Sequence, residues 1–161
     1  MPGTSRAPFF SHPAVFQDQP PIAARISTAT PQALINGFNL LTFATPVNED
    51  PLNLKAWQSI WTPTTPSRFT ITVRGFYMFG GCCEVGGLAS PRYIMELRRS
   101  GVPMCRGENN AVAAWTSVSA STLIPCVQGD YLEVYMYLDA GGPVNTTPFG
   151  SIPNMWTIRV G

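Results

Sequence analysis

One lysine and one histidine in 161 residues leave this chain short of the groups that most catalysis draws on. The histidine, His12, stands in a proline-rich stretch, whereas a Ser/His/Asp or Cys/His device needs its imidazole on a rigid scaffold. The nine carboxylates are scattered, with no pair spaced like a glycosidase's. Asn48, Glu49 and Asp50 offer oxygen ligands, but three adjacent polar residues in a loop are commonplace. Gly80-Gly81 and Gly86-Gly87 lack the strand-to-helix setting and the Lys-Ser/Thr of a phosphate loop. No catalytic residue, metal ligand or cofactor is therefore expected, and the chain reads as non-enzymatic.

Charge is scarce too, at 12% of residues with a formal net charge of +1. That balance gives no electrostatic pull toward nucleic acid or an acidic membrane. No apolar run approaches the ~20 residues of a membrane-spanning helix. The N-terminus lacks the basic-then-apolar pattern of a secretory leader, so the expectation is a chain cytosolic at synthesis or already processed.

The four cysteines include the adjacent pair Cys82-Cys83, whose side chains point to opposite faces of a strand. No C-x-x-C spacing occurs, so small buried thiols are expected. One disulfide, for instance from Cys105 to one of the pair, is the alternative.

What is abundant is punctuation: 16 prolines and 14 glycines break the chain into short segments, with hydrophobic residues at 45%. This pattern points to one all-β sandwich or barrel of about eight to ten strands. Its organising stretch is 129–138, where Leu132, Val134, Met136 and Leu138 alternate with Tyr131, Glu133, Tyr135 and Tyr137. Strict alternation is the mark of a strand. One face suits a core; the other carries three tyrosines, more aromatic surface than water should meet, so a partner subunit or intramolecular packing must cover it.

Other strands are expected at Ala24–Thr28, Ala33–Ala44 with a turn or bulge at Asn36-Gly37, near Ser59–Trp61, Arg68–Val73, from Phe76 into Cys83, Arg92–Arg99, Ala111–Leu123 and Met155–Val160. Gly101-Val102-Pro103 reads as a hairpin turn. Asp50-Pro51 suits the start of a short helical turn within a loop-rich connection. Arg98, Arg99 and Arg106 read as a solvated edge that discourages sheet-to-sheet aggregation.

Residues 1–21 form a separate unit, ahead of a 22–161 domain. Pro2, Pro8, Pro13, Pro20 and Pro21 keep this stretch extended, while Phe9, Phe10 and Phe16 are too apolar for a solvated tail. It reads as a docking arm.

Several motifs carry a resemblance. Pro66-Ser67-Arg68-Phe69-Thr70-Ile71-Thr72-Val73-Arg74-Gly75-Phe76-Tyr77, following Phe43 and a polar loop, resembles the opening of the globular head of complement component 1, subcomponent q. That domain is one of the tumour-necrosis-factor-like jelly rolls. Gly129-Asp130-Tyr131-Leu132-Glu133-Val134 resembles the family's G-D-x-[VL]-x-[VL] strand, and Trp156–Val160 its closing strand. Ala24-Arg25-Ile26, Pro66–Ile71 and Arg159–Gly161 are similar to versions found in bacteriophage virion genes. There is no collagen stalk, and Arg74 stands where animal members usually have proline; both turn the expectation away from complement or cytokine roles.

The resemblance implies an antiparallel jelly-roll sandwich assembled as a homotrimer, with Tyr131, Tyr135 and Tyr137 near the three-fold axis. It further implies a virion protein assembled in the host cytoplasm, foremost a capsid decoration protein. The arm would lace onto the major capsid protein, another virion protein or a neighbouring trimer. The alternative is a receptor-binding or tail knob holding a host surface glycan or protein, with Trp57, Trp61 and Phe149 stacking on sugars.

Overall fold

In the computed structural model the described residues are 22–28, 30–46, 60–86, 92–110, 115–139, 144–146 and 153–160. They form twelve strands: β1 (Ala23–Ser27), β2 (Ala33–Leu34), β3 (Gly37–Leu40), β4 (Thr45–Pro46), β5 (Arg68–Thr70), β6 (Gly75–Gly86), β7 (Arg92–Arg99), β8 (Val102–Asn110), β9 (Trp115–Cys126), β10 (Tyr131–Leu138), β11 (Val144–Thr146) and β12 (Asn154–Arg159). All pairings are antiparallel and build two sheets, of seven and five strands. In the larger sheet β6 is central, with β9 on one side and β12 and β11 on the other; β1 and β4 follow β12, and β2 follows β11. In the smaller, β10 lies between β7 and the short strands β3 and β5, and β8 flanks β7. The all-β antiparallel jelly roll expected from the sequence is the fold observed.

The core lies between the sheets. Leu132, Val134, Met136 and Leu138 of β10 are fully buried, as are Tyr93, Met95 and Leu97 of β7. They meet Tyr77, Phe79, Cys83 and Val85 from β6, and each large apolar side chain removed from water contributes roughly 1.5–3 kcal/mol. Gly81 lets the two sheets pack closely in the middle of the core. A Cβ there would sit 3.2 Å from Val134 Cγ2 and 3.4 Å from Met95 Sδ.

At one side the sandwich closes without strand pairing. Gly107 of β8 abuts the Ser119 carbonyl so tightly that any Cβ would collide with it. On either side of this contact, Asn109 Nδ2 donates to Ser117 O at 3.0 Å and Cys105 Sγ to Ser121 O at 3.6 Å.

Several expectations are corrected. The hairpin turn is Ser100-Gly101, both at positive φ (49° and 81°), and Val102-Pro103 already belongs to β8. Pro103 is tolerated because β8 has a free edge and the ladder bulges between Leu97 and Arg98. β9 likewise runs through Pro125 to Cys126, since its outer edge needs no backbone donor there. The 33–44 stretch is interrupted at Asn36-Gly37, where Gly37 has φ 96°, and β3 ends at Leu40. Ile60 and Trp61 are buried but form no strand; Ile60 O accepts from Thr70 N at 2.7 Å. All four cysteines are free thiols, Cys83 inward and Cys82 on the outer side. Residues 1–21 and the helical turn expected from Asp50 lie outside the described residues.

Candidate functional site

Each sheet has an outer face, and the two differ in kind. On the five-stranded sheet the register places side chains in rows. Glu133 stands between Arg68 and Arg98, Tyr135 between Leu40 and Glu96, and Tyr137 between Phe38 and Ile94. The Arg98 guanidinium stacks 4.0 Å from the Tyr135 ring centroid and 4.9 Å from that of Phe38. Arg68 lies 4.7 Å over Tyr131, and the Phe38 and Tyr137 rings meet at 4.9 Å.

Beneath the stack, Glu96 is wholly buried, with Arg98 Nε at 2.5 Å from one oxygen and Arg106 Nε at 2.5 Å from the other. Glu133, 5% exposed, has Arg68 at 3.8 Å and accepts from the Tyr135 hydroxyl at 3.4 Å. Burial, and then the neighbouring Glu133 carboxylate, push the Tyr135 phenol above its ordinary range, against a smaller opposing pull from Arg98. Tyr131, Tyr135 and Tyr137 are thus half-buried under side chains of their own sheet. Arg98 and Arg106 serve Glu96, a role that reading them as a solvated edge did not foresee.

On the seven-stranded sheet the outer face is more exposed, and it is zoned. Val160 N bonds Phe76 O, and Phe76 pairs with Pro125. In the next row Ile158, Met78 and Leu123 lie side by side across β12, β6 and β9. Phe76, Met78, Leu123, Ile158 and Val160 are 37–57% exposed. In the third row the Trp156 indole lies over Gly80, where a Cβ would come within 2.5 Å of Cζ2. Beyond it the face turns polar. Asn154 Nδ2 donates to Cys82 Sγ at 2.9 Å, and Ser117 Oγ bonds Glu84 Oε2 at 3.4 Å. The far end carries Trp115, 56% exposed and lying over Gly86.

Trp61, expected to stack on a sugar, is 2% exposed, its indole N–H pointing to Pro66 O at 3.4 Å; a buried indole offers no platform. Trp57, Phe149 and the arm residues Phe9, Phe10 and Phe16 lie outside the described residues. Sequence reading missed Trp115 as a surface feature. Its signal was the Ser-rich alternation that follows it in β9, which puts Trp115, Ser117 and Ser119 on one face.

Among the described residues no three His, Cys, Asp or Glu side chains gather as a metal site, and no helix is long and apolar enough to cross a membrane. Burial raises the Cys83 thiol strongly and pushes Cys126 up to about 11, with Asp130 adding to the rise and Arg99 opposing it. Thiols held protonated in this way are poor nucleophiles. A recess of about 420 Å³ lies beside Thr28, Gln32, Thr42 and Phe43. The Gln32 amide is engaged within it: Oε1 accepts from Thr42 N at 2.9 Å and Nε2 donates to Thr42 O at 2.5 Å.

Comparison with known proteins supports the fold. The chain is similar to murine APRIL, with a TM-score of 0.63 at 11% identity over 88% of this chain and 100% of that one. It is similar to the Eiger TNF of S. frugiperda (0.57, 12% identity, 89% and 94%) and to the globular domain of zebrafish complement 1qA protein (0.54, 14%, 88% and 97%). These likenesses establish the tumour-necrosis-factor and complement-type jelly roll. No family model matches the chain. No curated protein matches it either.

Proposed function

We propose that this protein is a non-enzymatic virion component, a homotrimeric capsid decoration protein that docks through residues 1–21. One observation carries the assembly part: the apolar outer rows of the seven-stranded sheet around Met78, Leu123 and Ile158. Contiguous apolar surface of this kind is costly to leave in water and is what obligate interfaces cover. These rows, rather than Tyr131, Tyr135 and Tyr137, are the better candidate for the subunit interface, because the tyrosines are already capped by Arg68, Arg98 and Phe38.

The arm supports the docking part. It enters β1 beside Ile22, whose carbonyl accepts from Arg159 N at the apolar end of the same sheet. A stretch of twenty-one residues, if fully extended, would span up to ~70 Å, far enough for Phe9, Phe10 and Phe16 to engage the major capsid protein or another virion protein. On this reading the virion would be built in the host cytoplasm.

Light scattering on the purified chain tests the assembly. Three times 17.5 kDa is the expected mass, and a clean monomer would overturn the reading. Capsids lacking the protein should regain mechanical stability when it is added back, but not when residues 1–21 are deleted. The second reading, a knob that recognises a host surface glycan, is favoured by one observation, the exposed indole of Trp115.

A further inference from the structure

The polar end of the seven-stranded sheet holds a constellation that assembly through the apolar rows leaves unused. Trp115, Gly86 and Asn145 form one cross-strand row over β9, β6 and β11. A Cβ at position 86 would run into the indole Cζ3, with Cε3 at 2.9 Å and Cη2 at 3.0 Å, so the edge of the six-membered ring overhangs the glycine. Only glycine at position 86 leaves the indole room to lie there, and more than half of Trp115 remains open to solvent. Asn145, exposed, borders the ring across Gly86. The adjacent outward row supplies the Glu84 carboxylate and the Ser117 hydroxyl, joined at 3.4 Å.

We propose that Trp115, Asn145, Glu84 and Ser117 form a binding site for a neutral pyranose. A pyranose has one flat face of C–H groups and a rim of hydroxyls, each of which donates and accepts. A pre-seated indole matches the face, and an amide, a carboxylate and a hydroxyl around its edge match the rim. Alternative occupants fit less well. A protein partner would want the apolar continuity found three rows away, whereas this end is Ser-rich and bounded by Cys82 and Asn154. A nucleotide would stack on the ring, but these two rows hold no lysine or arginine to meet its phosphate, and Glu84 would repel it. The same charge disfavours acidic sugars.

The site deepens the second reading above and does not depend on the trimer. Its test is a titration of the full-length ¹⁵N-labelled protein with methyl β-galactopyranoside, methyl β-glucopyranoside and methyl α-mannopyranoside. The expected result is a saturable shift of the Trp115 indole N–H and the Asn145 side-chain amide with at least one sugar, in the millimolar range usual for a single small ring. Trp115→Ala should weaken that binding at least tenfold, and Asn145→Ala, at an exposed position that keeps the fold, severalfold. No saturable shift with any of the three, or undiminished binding in Asn145→Ala, would overturn the site. A change of mass in Trp115→Ala would also overturn it, by making the indole a subunit contact. A monomeric wild type that still binds a sugar would sink the trimer and leave this site standing.

Discussion

The two outer faces of this sandwich begin from similar sequence and end in opposite states. The tyrosine strand β10 and the strands β6, β9 and β12 all direct large side chains outward. On the smaller sheet, each exposed aromatic has a cation or another ring laid over it, and each buried carboxylate has a guanidinium within 4 Å. On the larger sheet, Met78, Leu123 and Ile158 stand side by side across strands, each well exposed, and no ring or guanidinium among the described residues is stacked over them. The lesson is that outward aromatic content is not the same as uncovered apolar surface. Arginine makes the difference, because its planar head stacks on a ring while its edge hydrogen-bonds a carboxylate.

The comparison can be broken by substitution. The largest effect is expected from Ile158→Asp, which places a charge in the middle of the apolar rows. It should turn the 17.5 kDa chain from trimer to folded monomer by light scattering, whereas Tyr137→Ser should leave the trimer intact. The reverse pattern would restore the tyrosine face as the interface. Next comes Glu96→Ala, which strands Arg98 and Arg106 around an empty site. Removing one partner of a buried ion pair costs about 3–5 kcal/mol, and less here because Arg106 is exposed; it is read as a lower urea midpoint at unchanged slope. Gly81→Ala probes the gap between the sheets, and crowding Val134 and Met95 should cost about 1–3 kcal/mol.

The smallest effect sharpens the picture of the capped face. Tyr135→Phe deletes only the bond to Glu133 and should cost about 1 kcal/mol or less near neutral pH. Its pH dependence is more telling. The folded phenol holds its proton above the ordinary value of 10.0, so stability is fully present below pH 10 and is lost as the pH rises through the folded value. The Phe variant should lose less stability above pH 10 than wild type in matched urea titrations. Equal losses would mean that the phenol is not held protonated by its surroundings.

Much of this was legible in the chain itself, for identifiable reasons. β10 alternates strictly in residue type and β7 does so but for Ile94, and a period of two leaves one answer for which residues enter the core. β8 was hidden because Val102-Pro103 looks like a turn and because its burial does not alternate cleanly. It is an edge strand in which only Cys105 and Gly107 are partly covered, so little hydrophobic period is imposed on it. The surface was harder. Tyr131, Tyr135 and Tyr137 could be assigned to one face, but Arg68 lies more than sixty positions away and Phe38 nearer a hundred, so their stacking could not be read from spacing. Trp61 was misjudged for the same reason, since only the folded chain shows that its indole is enclosed.

The contact between β8 and β9 has a consequence for behaviour in a crowded solution. A sandwich with two raw sheet margins side by side offers a template on which an extended segment from another molecule could add, and so seed a fibre. Here the margins block each other: Gly107 lets the two backbones nearly touch, and Asn109 and Cys105 occupy the carbonyls a foreign strand would need. Association of such a sandwich is thereby confined to a sheet face, where the number of subunits is finite, and withheld from this margin, where it is not.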